Sequence, residues 1–266
     1  MVKIENFNTG PKANPDVINI NLDPSENIKN KKKIKQLLKN IVESDSKDLE
    51  KNINNAYHPN AELKCFHPVN NISGIDEIYH KLWLPIKNSF TDLERRDCLV
   101  LGGSFQDKVF VSTISLLTGT YKNSWLGIPT NNKTIHLRMC EAHEIKDGKI
   151  IHSHILLDVI DFIRQAGFWP INKSNGAEGL WANSITGDGA IFENIDEQLS
   201  ISSLEQALTM QRSLNIKPES EPNADHTYIK ENLIKHPQRE FWHEKMMWYG
   251  PSGIGTARGL EGFVNH

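Results

Sequence analysis

Hydrophobic and polar residues alternate on both sides of the dipeptide Asp147-Gly148, in the stretch IHLRMCEAHEIKDGKIIHSHILLD that covers residues 135–158. A period of two is typical of β-strands, and Asp-Gly favours the tight turn of a two-residue hairpin. With the turn at this dipeptide, His143 lies opposite His152. One face of the hairpin is then predicted to carry eight side chains: Leu137, Met139, Glu141, His143, His152, His154, Leu156 and Asp158. A face that mixes imidazoles, carboxylates and apolar groups is an unusual core and a reasonable pocket wall.

Helical spacing of apolar residues predicts three helices before the hairpin and one after it. The three stripes consist of Ile34, Leu37, Leu38 and Ile41, then Leu49, Ile53, Ala56 and Tyr57, then Ile75, Ile78, Tyr79, Leu82, Trp83 and Ile86. Pro85 is expected to kink or end the third helix, and Gly167 to end the helix that follows Asp158. Extended runs at residues 61–66, 95–101 and 109–121 predict further strands. This order predicts an α+β fold, in which a curved antiparallel sheet wraps three to four helices and forms a cone-shaped pocket.

The chain is predicted to have four parts. These are an N-terminal arm (1–24), a main domain (25–167), a linker with one helix (168–223) and a last part (224–266). The last part repeats a pattern of the main domain. YHPNAELKCFHP from Tyr57 aligns with WHEKMMWYGP from Trp242, and each is followed by a Gly–aliphatic–acid step, at Gly74 and at Gly259. We therefore interpret residues 224–266 as the opening of a second, incomplete copy of the main domain.

Composition excludes several classes of function. The 266-residue chain has a formal net charge of −3, whereas a nucleic-acid-binding surface usually needs a strongly basic domain. Cys65, Cys98 and Cys140 lie far apart and form no Cys-x-x-Cys pair, which favours reduced thiols. No stretch approaches the roughly 18 apolar residues that are needed to span a membrane. We expect a cytoplasmic protein with neither nucleic acid nor a membrane as its partner.

Each polar residue of the predicted face also has a structural explanation. Asp158 precedes a helix and could simply accept hydrogen bonds from its first N–H groups as an N-cap. Glu141 opposite His154 could form an ordinary cross-strand ion pair or, if buried, hold one tautomer of the imidazole. His143 and His152 could be solvated at the open end of the hairpin. His152-x-His154 with Glu141 or Asp158 also offers metal ligands, but the spacing does not fit a cupin site, and we expect no metal.

The hairpin with its closing helix, LRMCEAHEIKDGKIIHSHILLDVIDFIRQAG, resembles the last strands and final helix of SnoaL-like polyketide cyclases, in the nuclear transport factor 2-like superfamily. FWHEKMMWYGPSGIGTARGLEGFVNH is similar to the start of the second repeat in tandem members. The resemblance covers about residues 30–167 and 240–266 and implies a cystatin-like roll. It also implies cofactor-independent chemistry, in which an Asp base removes a proton next to a carbonyl before ring closure by aldol addition. Asp158 and His143 match the family's base and its assisting histidine.

These inferences predict acid/base chemistry on a hydrophobic, carbonyl-bearing small molecule. In the predicted register His143 lies roughly 20 Å along the strand from the position of Asp158, so His154 and Glu141 are nearer candidates for a proton partner. The candidate catalytic residues are Asp158, His143 and His154. The candidate substrate-binding residues are Glu141, Tyr79, Trp83, Phe66, Met139 and Leu156. We expect no cofactor.

The alternative function is a non-catalytic ligand-binding or scaffold module with the same fold. Members of the superfamily often dimerise through the outer face of the sheet. Ile151, Ile155 and Leu157 would suit that contact in the predicted register, so the resemblance implies a homodimer.

Overall fold

The computed structural model describes residues 23–105, 107–174, 176–181, 190–193, 196–214 and 240–265. The chain forms two compact units. The larger unit covers residues 19–170 and 183–194, and the smaller one covers 1–18, 171–182 and 195–266. The edge strand suggested by Ile18, Ile20 and Leu22 and the linker at 217–223 lie outside the described residues. Within the described residues, no helix has both the length and the apolar character needed to cross a bilayer.

The larger unit combines five helices with six strands in its described part. The helices are α1 (Pro24–Glu43), α2 (Leu49–Ala56), α3 (Gly74–Glu77), α4 (Leu84–Ser89) and α5 (Val159–Ala166). The strands are β1 (Tyr57–Lys64), β2 (Asn71–Ser73), β3 (Glu94–Phe105), β4 (Lys108–Thr120), β5 (Thr134–Lys146) and β6 (Lys149–Leu157). The smaller unit contains α6 (Glu197–Leu214), β7 (Met247–Tyr249), β8 (Thr256–Arg258) and α7 (Gly259–Val264). The predicted α+β class is confirmed.

The six strands form one open sheet in the order β2-β1-β6-β5-β4-β3. Every neighbouring pair is antiparallel except β1 and β6, which run parallel through Leu63 beside Ser153 and Lys64 beside His154. The predicted antiparallel pairing is therefore confirmed for four of the five neighbouring pairs, and the pair of β1 and β6 is the exception. Alternation along a strand indicates which face each side chain occupies, but it contains no information on the direction of a partner distant in sequence.

The β5–β6 hairpin has the predicted turn but a different register. Asp147 and Gly148 both have positive φ, as a two-residue turn of this type requires, and Ile145 pairs with Ile150. A bulge at Ile151 then shifts the pairing by one residue. The pairs beyond it are Glu144–His152, His143–Ser153, Ala142–His154, Glu141–Ile155, Cys140–Leu156 and Met139–Leu157. A shift of one residue moves every side chain of a strand to the other face of the sheet.

The predicted shared face is consequently wrong for β6. Ser153, Ile155 and Leu157 lie on the buried inner face with Met139, Glu141 and His143, whereas His154 and Leu156 are exposed on the outer face.

The helices cover the inner face of the sheet. In α1 the buried positions Ile34, Leu38 and Ile41 repeat with helical spacing, as predicted. α1 crosses β3 closely at Gly102, where an added Cβ would lie 2.3 Å from Asn27 Oδ1. A larger residue at Gly102 would therefore force the side chains of Asn27 and Lys31 to move.

The third predicted helix continues past Pro85. A π-helical turn at Ile78–Trp83 precedes the proline. α4 begins directly after this turn, contains Pro85 near its start and ends at Ser89. Proline cannot donate a backbone hydrogen bond, and a locally widened helix tolerates that loss.

The smaller unit repeats the local structure of β1, β2 and α3 at a constant offset along the chain. Three pairs of the larger unit, Glu62–Ser73, Leu63–Ile72 and Lys64–Asn71, correspond to Met247–Arg258, Trp248–Ala257 and Tyr249–Thr256. A glycine with positive φ, Gly74 or Gly259, begins the following helix in both units. We propose that this hairpin and helix open a second copy of the fold, as the sequence pattern predicts.

Candidate functional site

Six polar side chains lie buried on or beside the inner face of the sheet. We call them the polar cluster: Arg95, Asp97, Thr113, Glu141, His143 and Ser153. The register brings them together across four strands, because Thr113 pairs with Glu141 and His143 pairs with Ser153. Alternation along β5 places Glu141 and His143 on the same face, as the sequence predicts.

Arg95 holds one oxygen of Glu141. Its Nη2 donates to Glu141 Oε2 at 2.5 Å and to Thr113 Oγ1 at 2.9 Å, and its Nε donates to Asp97 Oδ1 at 2.9 Å. The Thr113 hydroxyl in turn donates to the same oxygen of Glu141 at 2.8 Å. The side chains of Arg95 and Glu141 have no solvent-exposed surface. Such charge-assisted hydrogen bonds are short and strong, and they fix the carboxylate in place.

The charges of this pair stabilise each other. Burial by itself raises the pKa of Glu141, but the positive charge of Arg95 and the attraction to His143 outweigh burial and hold that pKa well below its ordinary value. Burial by itself lowers the pKa of Arg95, yet the carboxylates of Glu141 and Asp97 raise it overall. Glu141 is therefore an ionised carboxylate at neutral pH.

His143 lies between a hydroxyl and this carboxylate. Its Nδ1 is 2.7 Å from Ser153 Oγ, which is a hydrogen bond. Its Nε2 is 3.7 Å from Glu141 Oε1, a distance that allows electrostatic attraction but is too long for a hydrogen bond. The imidazole is fully buried, so the expectation of a solvated His143 is wrong.

Four buried polar atoms of this region have no hydrogen-bond partner within the described part of the chain. They are Arg95 Nη1, Ser115 Oγ, Glu141 Oε1 and His143 Nε2. Buried polar groups are normally paired, and a neighbouring set that is not paired commonly serves a ligand or ordered water. Arg95, Glu141 and His143 contact one another, so their atoms can offer a guanidinium N–H, a carboxylate oxygen and an imidazole nitrogen to one polar group.

Tyr57 and Cys65 also lie close enough to Glu141 for its charge to affect their pKa values. Trp83 Nε1 donates to Tyr57 Oη at 3.4 Å, and both side chains are fully buried. Burial and the negative charge of Glu141 raise the pKa of Tyr57, and the same two causes raise the pKa of Cys65 to about 12. Tyr57 and Cys65 therefore remain protonated at neutral pH.

Asp158 lies outside the polar cluster. Its Oδ1 accepts from the backbone N–H of Asp161 at 3.1 Å, which makes it the N-cap of α5, and its Oδ2 accepts from Arg138 Nη2 at 2.8 Å. These contacts support the structural explanation of Asp158, and its role as a base remains a prediction.

The other candidates divide between the two faces. Met139 and Trp83 are fully buried, Phe66 packs edge-on against Trp125, and Tyr79 is half-buried with its ring against His80. His154 and Leu156 lie on the outer face, the latter 67% exposed. Their catalytic and substrate-binding roles therefore find no support in their positions.

The shifted register also changes two further expectations. Ile155 and Leu157 are buried on the inner face, so they cannot form the outer-face dimer contact expected of them. A homodimer remains a prediction without these residues. His152 and His154 lie on the opposite face from Glu141, so the sheet does not bring this carboxylate to the two imidazoles.

Sequence reasoning missed four members of the polar cluster: Arg95, Asp97, Thr113 and Ser153. Arg95 lies between Glu94 and Arg96 at the start of β3, where a charged residue gives no sign of burial. Thr113 and Ser153 are small hydroxyl residues, which are common on either face of a strand. The available signal was the spacing of Arg95 from the apolar residues of β3, which would indicate that Arg95 shares their face. The bulge between Asp97 and Leu99 interrupts the period of two and so removes that signal.

Two substitutions of Asp158 separate its two possible roles. Asp158→Ala removes the cap and is expected to lower the free energy of unfolding by about 1 kcal/mol, whereas Asp158→Asn keeps an acceptor and costs less. If Asp158 is only a cap, Asp158→Asn also leaves any turnover unchanged. Urea denaturation and an activity assay on the same preparations check both points. Loss of turnover in a stable Asp158→Asn protein would restore Asp158 as the base.

No protein-family model matches the chain, and no curated protein matches it. SnoaL-like polyketide cyclases are among its structural neighbours. A protein described as such, from Jannaschia sp. CCS1, has 14% identity and a TM-score of 0.43 over 52% of this chain and 94% of its own. IdmH from Streptomyces antibioticus, described as a polyketide cyclase, has 16% identity and a TM-score of 0.42 over 51% and 99%.

A nuclear transport factor 2-like superfamily protein from Salmonella enterica serovar Typhimurium has 13% identity and a TM-score of 0.37, over 48% of this chain and 89% of its own. At these values the likeness carries no argument about the reaction. Function has to be inferred from the side chains of this chain.

Proposed function

We propose that this chain is a SnoaL-like protein that performs cofactor-independent acid/base chemistry on a hydrophobic, carbonyl-bearing small molecule. The polar cluster is the proposed site. The observation that carries the proposal is the group of buried atoms without a described partner at Arg95, Glu141 and His143, which a carbonyl oxygen and an adjacent transferable proton would satisfy.

In this mechanism His143 transfers the proton. Nε2 removes a proton next to the carbonyl, while Nδ1–H donates to the Ser153 hydroxyl, which can accept as well as donate. The imidazolium that forms lies beside ionised Glu141, which stabilises it. Arg95 Nη1 donates to the oxygen on which negative charge develops, and a fixed donor in a dry site stabilises such charge strongly. The same Nε2 then returns the proton.

Arg95 has a second role in this mechanism. By keeping Glu141 ionised in a buried position, it maintains the negative charge beside which the imidazolium of His143 forms. The resemblance assigns the base to Asp158, but the contacts of His143 favour the imidazole.

The alternative is a non-catalytic module, in which the polar cluster is a structural network. One observation favours it: the side chains of Arg95, Glu141 and His143 have no exposed surface, so a ligand must displace neighbouring groups to reach them.

Hydrogen–deuterium exchange next to the carbonyl of hydrophobic ketones, followed by NMR in D2O, tests the proposal. The native chain is expected to accelerate exchange for at least one ketone of a panel. His143→Asn is expected to reduce that rate by about 10²–10⁴-fold, the usual contribution of a general base. Glu141→Gln should reduce it in the same direction, because the neutral amide does not stabilise the imidazolium.

His154→Asn is the matched control, since His154 is on the neighbouring strand but on the exposed outer face. It should leave exchange unchanged. Ketone binding without any exchange by the native chain would instead support the non-catalytic module.

A further inference from the structure

Glu141, His143 and Ser153 form a sequence of acid, imidazole and hydroxyl across two neighbouring strands. We infer that His143 also activates Ser153 as a nucleophile, so that the polar cluster can transfer a small acyl group from an ester to water. This activity goes beyond the proposed proton transfer, because it needs the Ser153 oxygen itself to form a covalent bond. A nucleophile within hydrogen-bond distance of a base, with a third group on the other side of the base, is the arrangement that such catalysis requires.

Electrostatics favour the tautomer of His143 that this activity needs. Glu141 Oε1 is an ionised acceptor 3.7 Å from Nε2, so a hydrogen on Nε2 points towards negative charge, whereas a lone pair there would face it. With the hydrogen on Nε2, Nδ1 carries the lone pair and accepts from the Ser153 hydroxyl at 2.7 Å. The carboxylate and the hydroxyl thus occupy the two ends of one ring. The proposed proton transfer needs the other tautomer, so His143 has to move its hydrogen from Nε2 to Nδ1 before that reaction and loses this attraction.

One donor is available for the negative charge of the tetrahedral intermediate. Arg95 Nη1 is buried and has no hydrogen-bond partner among the residues that the structure describes. Arg95 is fixed beside Glu141 by its other nitrogens, whereas Ser115 lies opposite Met139, four residues along β5 from His143, and does not reach an acyl group on Ser153. A charged donor in a water-poor site is the usual means of stabilising such an oxyanion.

The step balances without any co-reactant other than water. Ser153 Oγ bonds to the acyl carbon while its proton moves to His143 Nδ1, and the bond from the acyl carbon to the alkoxy oxygen breaks. The proton on Nδ1 passes to that oxygen, so the alcohol leaves neutral. A water then adds to the acyl carbon while its proton moves to Nδ1. The bond from the acyl carbon to Ser153 Oγ breaks, Ser153 Oγ takes the proton from the imidazolium, and the acid leaves.

Burial defines the class of acyl group. Ser153 is 1% exposed and lies beside Leu63 of β1, with Ile155 two positions along its own strand. A short, uncharged aliphatic acyl group is the type of group that such surroundings accept. Charged acyl groups would lose their hydration without a partner of opposite charge.

Methanesulfonyl fluoride is the probe, because it is small and uncharged and sulfonylates activated serine hydroxyls with loss of fluoride. The native chain is expected to gain one methanesulfonyl group in intact mass, and peptide mapping should place it on Ser153. The chain should also release p-nitrophenol from p-nitrophenyl acetate, and labelled protein should lose that activity.

Three variants define the origin of the labelling. His143→Asn is expected to slow labelling by about 10²-fold or more, since the hydroxyl then lacks its base. Ser153→Ala should not be labelled. Ser115→Ala is the matched control, as Ser115 is equally buried on the same face but is not hydrogen-bonded to an imidazole, and it should be labelled like the native chain.

Absence of an adduct on the native chain, an adduct on another residue, or labelling that does not depend on His143 would each overturn the inference. The mapping uses the native chain, so it decides the question even if a variant does not fold. Failure here is distinguishable from failure of the proposed proton transfer, because ketone exchange in D2O does not require the Ser153 oxygen as a nucleophile.

Discussion

Replacing Arg95 by methionine is expected to lower the free energy of unfolding by about 3–5 kcal/mol, because removal of one partner leaves buried charge without compensation. The guanidinium is fully buried and contacts Glu141, Asp97 and Thr113 through its Nε and Nη2 atoms. Methionine fills much of the same volume but provides no donor. The loss should be visible as a lower urea midpoint at an unchanged slope.

The neighbouring Arg96 is the control for this experiment. It pairs with Glu94 through two hydrogen bonds of 3.1 Å, but both side chains are exposed. Arg96→Met is expected to change stability by less than about 1 kcal/mol, as is usual for surface ion pairs. The double variant Arg95→Met/Glu141→Leu should lose less than the sum of the two single variants, since it removes both charges of one pair. A cost below about 1 kcal/mol for Arg95→Met would contradict the buried network.

The buried ion pairs of the polar cluster contribute little net stability to the core. Apolar residues of similar volume commonly replace a buried ion pair at no loss of stability, and sometimes with a gain. Here Arg95, Asp97 and Glu141 bring three charges into the interior, and atoms of Arg95 and Glu141 stay without a described partner. Local departures of this kind from good packing are typical of functional sites. The cost therefore favours a site over a purely structural network.

The predicted elements of the fold came from local patterns. The buried stripe of α1 and the positive φ of Gly167 at the end of α5 follow from residues near each other in sequence. So does the turn at Asp147 and Gly148. Each of these features is decided by side chains and backbone preferences within a few residues.

The features that could not be predicted from the sequence depend on contacts between residues far apart along the chain. The parallel pairing of Leu63 with Ser153 and the approach of Arg95 to Glu141 both join segments far apart along the chain. The bulge at Ile151 involves only neighbouring residues. Ile150 and Ile151 are both β-branched and apolar, however, so the sequence does not indicate which of them is the extra residue. That single insertion decided the site: it replaced His154 by Ser153 as the inward-facing residue of β6.

Replacing an inward-facing residue of β6 is also expected to lower the stability of the chain strongly. Ile155→Ala is expected to destabilise the chain by about 2–5 kcal/mol, because it removes a fully buried side chain and leaves a cavity in a packed core. Leu156→Ala is its matched control on the adjacent position. Leu156 is 67% exposed on the outer face, so its replacement is expected to change stability by no more than about 0.5 kcal/mol.

Alternation without the bulge requires the opposite result, with Leu156 buried and Ile155 exposed. Urea denaturation of the two variants therefore distinguishes the two registers directly. The register also determines whether Ser153 or His154 faces the polar cluster, since each is two positions from one of the mutated residues. A large loss in Leu156→Ala with a small one in Ile155→Ala would turn Ser153 outward. The hydrogen bond between Ser153 and His143 on which the nucleophile depends would then not form.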